Sequence, residues 1–212
     1  MYAPPHTQTT GAPLMDTPPS RKQLTHERIV DTAARALRGT GFHGVGVADV
    51  MKQAGLTHGG FYAHFPSRDV LLAEALQRAG EHSRERLRRS IAAGEARGLS
   101  RFRALVEAYL SERHLKDPES GCPVAALASE MPRQTEGVRE ASATRVQALL
   151  EGVEAALPPG HPEGAAAAVA SHLVGALQLA RALGNNAEGR RHLAAGRRFL
   201  LEQFESAPHT RR

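Results

Sequence analysis

The feature that most constrains the fold of this 212-residue chain is its hydrophobic pattern. From about residue 25 onward, apolar residues recur at helical spacing, and only stretches of helix breakers such as DPESG, PPGHP and GNN interrupt them. No strand-like alternation continues beyond a few residues. Because the chain has no Trp and only 4% aromatic residues, Leu, Val and Ala must fill its core, and helices use these more readily than sheets do. The sequence therefore predicts an all-α fold of about nine helices rather than an all-β barrel or sandwich.

The cysteine count and the first residues indicate where the protein works. Cys122 is the one cysteine, so an internal disulfide is impossible and the secreted disulfide-rich class is excluded. Residues 1–20 lack the basic start and apolar stretch of a signal peptide, and we expect this Thr/Pro-rich segment to be a disordered arm. No uninterrupted apolar run reaches the ~18 residues of a membrane-spanning helix. We therefore expect a cytoplasmic protein.

The positive charge of the chain is concentrated towards its N-terminus. The net charge is +5, and residues 21–90 hold 12 Lys and Arg against 7 Asp and Glu, which accounts for the whole excess. A basic segment of this kind indicates either an anionic partner such as nucleic acid or an ordinary solvated surface. The motifs within the segment have to decide between the two.

Short helical segments within residues 21–68 predict a helix-turn-helix head. We expect the first helix to begin with Thr25 as its N-cap and to end near residues 39–41, which include two glycines. Two brief helices follow, over residues 47–54 and 57–65, with Gly55 in the turn between them. Ser67 is a good N-cap for a longer linking helix, which we place over residues 69–92. Residues 93–207 predict a further helical domain.

Within the head, the segment from residue 57 to residue 68 has the composition of a DNA-binding surface. Gly59 and Gly60 each cost about 1 kcal/mol of helix propensity relative to Ala, so we expect that something requires bare backbone there. A glycine pair with Tyr, His and Arg side chains close by suits a surface that approaches phosphates. The spacing predicts that one set of residues faces base edges in the major groove and that another contacts phosphates. The first set is Thr57, His58 and Gly59, and the second is Tyr62, His64 and Arg68.

The segment GFHGVGVADVMKQAGLTHGGFYAHFPSRD resembles the DNA-binding domain of the TetR/AcrR family of transcriptional regulators. The similarity covers residues 25–76 and rests on a Gly-Phe pair, a Gly-Leu-Thr turn and a Phe-Tyr-x-His-Phe recognition helix in this order. It implies a homodimer whose heads bind a palindromic operator in double-stranded DNA and whose C-terminal helices bind a ligand and dimerise. It also implies that Thr57 caps the recognition helix. The sequence departs from the family at Val45 and Gly46, where a Thr or Ser usually opens the second helix, and we expect Thr40 or a backbone amide to replace it.

The C-terminal half contains a second, shorter similarity. The stretch GCPVAALASEM resembles the start of the sixth helix in a subgroup of the family that shares the LTHGGFYAHF form of the recognition helix. Cys122 therefore lies at a predicted helix start, where the partial positive charge favours the thiolate, the form that reacts with oxidants and electrophiles. Cys122 is accordingly either a sensor of such molecules or a small buried core residue.

Further residues of the C-terminal half are candidates for an effector pocket and a dimer interface. The pocket candidates beside Cys122 lie on helices expected to surround a cavity: Phe102, Tyr109, Arg113, Met131 and His172. His172, alone on an apolar helix, is also explained as a hydrogen-bonded core residue. The last two helices carry an apolar face that the resemblance assigns to the dimer interface and that a monomer core would explain as well. That face consists of Leu173, Ala176, Leu177, Ala180, Leu183, Leu200 and Phe204.

No motif in the chain indicates an enzyme, a cofactor or a metal. The sequence lacks both common nucleotide-binding loops, the HExxH motif and paired cysteines. We therefore predict a ligand- or redox-responsive, sequence-specific DNA-binding regulator that acts as a repressor. Two alternatives remain: an all-helical enzyme or binding protein with Cys122 as nucleophile, and a nonspecific chromosome-coating protein. The first leaves the Gly59-Gly60 pair unexplained, and the second predicts no base discrimination.

Overall fold

The computed structural model describes residue 18 and residues 20–205 of the chain, and every regular element within these residues is a helix. The nine α-helices found there confirm the predicted all-α class. The predicted disordered arm, residues 1–20, lies outside the described residues except for residues 18 and 20.

Helix α1 spans Arg21–Gly44 and begins earlier than the sequence suggested. Its N-cap is Ser20, whose hydroxyl accepts from the amide of Gln23 at 3.2 Å, while the Gln23 side chain accepts from the Ser20 amide at 2.6 Å. This reciprocal capping box satisfies two amides at once, which a lone Thr at position 25 could not do. The predicted N-cap Thr25 is therefore wrong, and its hydroxyl instead donates to the carbonyl of Arg21 at 2.9 Å.

The helical geometry of α1 is interrupted close to its predicted end. Gly41 has φ 77° and ψ 175°, a conformation that L side chains rarely adopt, so the chain kinks there before one more short turn. Helix α2 follows over Val47–Gln53, and Gly55, at φ 72°, forms the turn after it. The predicted positions of α2 and of this turn are confirmed.

The recognition segment is a 3-10 helix over His58–Ala63 rather than an α-helix. Its bonds run from the Gly60 amide to the Thr57 carbonyl at 3.1 Å and from the His64 amide to the Phe61 carbonyl at 2.9 Å. Two adjacent glycines weaken α-helical propensity, which favours this short, tighter form. We call residues 21–68 the head.

The long helix α3 spans Arg68–Glu95 and joins the head to the remaining helices. Ser67 caps it as predicted, because its hydroxyl accepts from the Val70 amide at 3.3 Å. Helix α3 packs against α1 on one side and against helices of the C-terminal half on the other, so the two parts of the molecule share one element and one continuous hydrophobic core.

The C-terminal half, which we call the body (residues 93–205), consists of shorter helices followed by three long ones. They are α4 (Arg101–Tyr109), α5 (Glu112–Lys116), α6 (Pro123–Leu127), a 3-10 turn (Met131–Arg133), α7 (Glu136–Glu154), α8 (Ala165–Leu183) and α9 (Ala187–Phe204). Helices α4 and α5 are separate because Ser111 caps a new helix, its hydroxyl accepting from the His114 amide at 3.2 Å.

Helix α8 is the most apolar element, with a mean hydropathy of 1.3 over a length that would suffice to cross a membrane. In the structure it packs against α7, α9 and α6 and carries Arg181, whose guanidinium donates to the carbonyl of His114 at 2.8 Å. Helix α8 is thus a packed helix of the body.

Candidate nucleic-acid interface and effector cavity

The start of the 3-10 helix forms an open surface at the edge of the head. Thr57, His58 and Gly59 are all exposed, and a Cβ atom added to Gly59 would meet nothing within 4 Å. Packing within the protein therefore does not require a glycine at this position. Thr57 occupies the N-cap position as expected, although its side chain makes no capping hydrogen bond.

Tyr62 extends this surface, which we call the recognition surface (Thr57, His58, Gly59 and Tyr62). The Tyr62 side chain is 73% exposed, whereas its neighbour Phe61 is 1% exposed and stacks on Phe65 with ring centroids 5.5 Å apart. The two buried rings anchor the 3-10 helix to the head and leave the phenol of Tyr62 in solvent. The phenol can therefore donate a hydrogen bond to a molecule that approaches from outside.

His64 lies between the recognition surface and the core. Its ring is half-buried, and within the described part of the chain its Nδ1 atom has no hydrogen-bond partner. Desolvation lowers the pKa of His64, and the nearby His26 and Lys22 lower it further. His64 is therefore neutral at pH 7 and could bind a phosphate through one N–H group but without a positive charge.

Arg68 has intramolecular partners that the sequence did not reveal. Its Nε atom donates to the carbonyl of Val45 at 3.2 Å, and a terminal nitrogen donates to the carbonyl of Phe42. The guanidinium thus ties the start of α3 to the chain that leads into α2. The geometry gives Arg68 a bracing role, and its contact with a phosphate stays a prediction.

The departure from the family pattern before α2 is visible in the structure. The N-cap of α2 is Gly46, which provides no side-chain hydrogen bond. Thr40, expected as a substitute, donates its hydroxyl to the carbonyl of Ala36 at 2.9 Å within α1. Helix α2 therefore begins without a side-chain cap.

A hydrogen bond between the head and the body holds the end of α1 in place. The amide of Phe42 donates to Oε2 of Glu130 at 2.9 Å, and a Cβ on Gly41 would lie 2.5 Å from Oε1 of the same carboxylate. Glu130 belongs to the segment between α6 and the second 3-10 turn. Sequence reasoning missed this residue, because its partner lies 88 positions away and neither residue belongs to a motif.

The body contains a cavity of about 230 Å³ between α3 and the α4–α5 region. The predicted pocket residues Tyr109 and Arg113 line it, together with Arg86, His114 and Asp117. A smaller cavity of about 80 Å³ is lined by Cys122 and shares Tyr109, Ser83 and Leu87 with the larger one.

Three predicted pocket residues do not line these two cavities. Phe102 packs against Phe204 with ring centroids 5.6 Å apart, and His172 stacks on Phe199 at 5.2 Å. Met131 is buried in the second 3-10 turn. The sequence could place these residues in helical segments, but it could not show whether their side chains point towards the cavity.

Cys122, His114 and Tyr109 form a chain of contacts at the cavity wall. Nδ1 of His114 lies 2.7 Å from the carbonyl of Tyr109, and Nε2 of His114 accepts from the backbone amide of Cys122 at 2.9 Å. Burial lowers the pKa of His114 to about 4, so its ring is neutral and both nitrogens are engaged with the backbone. His114 therefore orders the start of α6 and is not placed as a base for the thiol.

The apolar face predicted for the dimer interface is the protomer's own core. Leu173, Ala176, Leu177, Ala180 and Leu200 are buried, and Phe204 is half-buried. The apolar side chains that α8 and α9 present to solvent are instead Leu179, Leu183 and Phe199, with exposures of 57%, 38% and 51%. Most of the predicted residues therefore pack within the protomer, and the dimer interface itself stays a prediction.

Comparison with known proteins assigns both halves of the chain. Residues 29–75 match the model for bacterial regulatory proteins of the tetR family, and residues 98–195 match the model for a tetracyclin repressor-like C-terminal domain. An uncharacterised HTH-type transcriptional regulator of Mycobacterium tuberculosis is 31% identical over 171 residues, which cover 75% of this chain and 85% of that protein. The HTH-type transcriptional repressor NemR of Escherichia coli is 25% identical over 136 residues, covering 64% of this chain and 68% of NemR.

Solved structures share the fold. A TetR regulator from Chloroflexus aurantiacus superposes with a TM-score of 0.70 at 23% identity, covering 88% of this chain and 96% of that one. The reduced form of E. coli NemR gives a TM-score of 0.64 at 22% identity, covering 81% and 94%. With its head and body both matched, and with a relative this similar over most of its length, the chain belongs to the TetR family of DNA-binding transcriptional regulators.

Proposed function

We propose that this regulator is a homodimeric, cytoplasmic repressor that binds a palindromic operator and releases it when the body binds a small effector or when Cys122 is modified. The observation that carries the DNA-binding part is the recognition surface, where exposed hydroxyl, imidazole and phenol groups surround a glycine that internal packing does not require. Thr57, His58 and Gly59 contact base edges, and Tyr62, with neutral His64 beside it, contacts phosphates.

Repression follows from occupancy of the operator. Two heads about 34 to 36 Å apart reach successive major grooves on one face of the DNA. An effector can shift operator affinity only by binding the two head spacings with different affinity. Helix α3 is the element that carries this change, because it reaches from the capped start at Ser67 to the wall of the effector cavity.

The dimer interface of this proposal is the outward face of α8 and α9 formed by Leu179, Leu183 and Phe199. Exposed apolar side chains on two neighbouring helices are typical of a surface that a second copy covers. Light scattering on purified protein tests this: Phe199→Asp should yield monomers, whereas Gln147→Asp on the exposed side of α7 should leave a dimer. Dimers of both variants would contradict this interface.

Cys122 is the proposed point of chemical modification. The thiol lies beside the buried hydroxyl of Tyr109 and lines the smaller cavity, so an added group would have to displace packed side chains. Treatment with N-ethylmaleimide, which bonds the sulfur to a ring carbon while the thiol proton passes to the neighbouring carbon, should lower operator affinity. The Cys122→Ser variant should be unaffected by the same treatment.

Fluorescence anisotropy on the DNA upstream of the protein's own gene tests the proposal as a whole. With excess unrelated DNA, a sequence-specific regulator should retain operator binding roughly 10³-fold tighter than nonspecific binding. Complete loss of binding to the competitor would instead support a nonspecific DNA-coating protein. The enzyme alternative receives no support from the geometry, since His114 contacts the amide of Cys122 and not its sulfur.

A further inference from the structure

The larger cavity in the body is surrounded by more positive than negative charge. Arg86 and Arg113 line it, and Asp117 is the one carboxylate among its described lining residues, 3.7 Å from a terminal nitrogen of Arg86. No Asp or Glu is among the described residues that line the smaller cavity, where Arg84 and Arg145 contribute two further guanidinium groups.

Two more guanidinium groups lie behind the cavity wall. Arg181 approaches the wall at Gly121, where an added Cβ would lie 3.0 Å from its terminal nitrogen. Arg38 is 4% exposed and donates to the carbonyl of Ala79 at 3.0 Å. Desolvation by burial lowers the pKa of Arg38 to about 10, and it also lowers the pKa of Arg86 and of Arg181. Arg38 also lies close enough to Arg86 for repulsion between the two positive charges to lower its pKa.

Several polar atoms around the cavity are buried without a strong hydrogen-bond partner. Among the described residues, the hydroxyl of Tyr109 has no hydrogen-bond partner stronger than the thiol of Cys122 beside it, and the Nε atoms of Arg38 and Arg181 are without acceptors. Tyr109 is 2% exposed and lines both cavities, so this residue lies between them. Buried donors without strong acceptors are costly, so this side of the body carries polar groups that are incompletely satisfied.

The remaining walls are apolar. Leu87, Ala108 and the ring of Tyr109 line the larger cavity, and Leu105, Val124 and Leu149 line the smaller one. A volume of about 230 Å³ is below the ~300 Å³ at which pockets for drug-sized ligands begin, so only a small molecule fits.

We propose that this cavity binds a small organic carboxylate, with its negative charge between Arg86 and Arg113 and its apolar body against Leu87 and Tyr109. The inference rests on the proposed effector response and adds the chemical class of the effector. One monoanion balances the excess of the lining charges, and its oxygen atoms accept from guanidinium N–H groups, which bind carboxylates in matching fork geometry. Binding draws α3, which carries Arg86, towards α5, which carries Arg113.

A matched pair of probes tests the charge requirement. Cinnamate and cinnamamide have nearly the same size and apolar body, and only cinnamate carries a negative charge. By calorimetry on the full-length protein without DNA, cinnamate should bind roughly tenfold or more tightly than the amide, as expected for a charge-assisted hydrogen bond. Equal affinity of the two, or no binding of cinnamate at about 10 mM, overturns the proposal.

Variants locate the charge. Arg113→Gln, at an exposed position, should weaken cinnamate binding roughly tenfold or more and leave cinnamamide unchanged. Arg89→Gln is the matched control, because Arg89 is exposed on α3 and pairs with Glu85 at 3.3 Å outside the cavity. The same loss in both variants would overturn the site, since it would reflect only overall charge.

Operator binding measured without cinnamate separates this inference from the proposed function. If the wild-type protein binds its operator but shows no preference for cinnamate, only the proposed ligand class is overturned. If the protein does not bind its operator specifically, the proposed repressor function is overturned, whether or not cinnamate binds.

Discussion

The proposed DNA-contacting groups of the head lie in solvent, whereas part of the proposed effector site in the body is buried. Tyr62 is 73% exposed on the recognition surface, while Tyr109 is 2% exposed, with the thiol of Cys122 beside its hydroxyl. A DNA duplex is too large to enter a protein, so the side chains that contact it must lie on the protein surface. A small effector can instead be enclosed by the body. We expect substitutions in the head surface to change binding alone, and substitutions around the cavity to change stability as well.

The largest effect should come from removing the support beneath the recognition surface. Phe61→Ala deletes a side chain that is 1% exposed and stacks on Phe65, and should lower the free energy of unfolding by about 3–5 kcal/mol. Urea denaturation measures the change. The comparison with Tyr62→Ala next to it is decisive, because that exposed substitution should stay within about 0.5 kcal/mol of wild type. Similar losses in both would mean that Tyr62 is not the exposed group described above.

The buried imidazole of the body should make stability dependent on pH. The folded-state pKa of His114 is lowered from 6.5 to about 4, so the unfolded chain binds a proton in this range while the folded one does not. The stabilisation is therefore fully present above pH 6.5 and decreases as the pH falls towards 4, by up to ~3 kcal/mol. Denaturation series for wild type and His114→Asn should differ in slope over this window, whereas exposed His58→Asn should follow wild type.

The hydrogen bond between the head and the body should contribute an intermediate amount to the free energy of unfolding. Glu130→Ala leaves the amide of Phe42 without its acceptor and should cost about 1–3 kcal/mol. Because this amide lies just before α2, operator affinity should fall although Glu130 is not on the recognition surface. Glu140→Ala is the control, since Glu140 is an exposed glutamate on α7 of the body. Unchanged operator affinity in Glu130→Ala would contradict a link between the two parts.

The smallest change in the free energy of unfolding should come from removing the hydroxyl group of either tyrosine. Tyr109→Phe removes a buried hydroxyl whose partner among the described residues is no stronger than the thiol of Cys122, and should stabilise the protein by up to about 1 kcal/mol, with operator affinity unchanged. Tyr62→Phe should leave stability unchanged and weaken operator binding across sequences. Thermal denaturation and anisotropy on both variants measure the four quantities. The reverse pattern would exchange the roles assigned to the head and the body.

The local elements of the head could be predicted from the sequence because local signals determine them. Gly55 and Ser67 mark a turn and a cap by their own chemistry, and both were placed correctly. The start of α1 was misplaced because Ser20 lies at the edge of a segment without a hydrophobic period. The 3-10 form of the recognition segment also escaped prediction, since periodicity alone does not separate a short α-helix from a 3-10 helix.

The sites of the body could be predicted only in part, because they depend on contacts between distant residues. Tyr109 and Arg113 were expected to line a pocket and do so. His172 and Met131 lie in helical segments of the body, but their side chains do not line the two cavities. Leu173 packs inside the protomer instead of facing outward. An apolar stripe shows that a helix face is covered but not by what. The Arg68 brace was missed for the same reason: its acceptors are backbone carbonyls, which no sequence motif shows.

The hydrogen bond between Phe42 and Glu130 also has a consequence for the order in which the protein is made. The two residues are 88 positions apart, and ribosomes add about 5–20 residues per second, so the amide of Phe42 is synthesised roughly 4 to 18 seconds before its acceptor. During that interval the nascent head lacks one of the contacts that fix the entry to α2. A chain truncated before residue 130 therefore has to fold its head without this hydrogen bond.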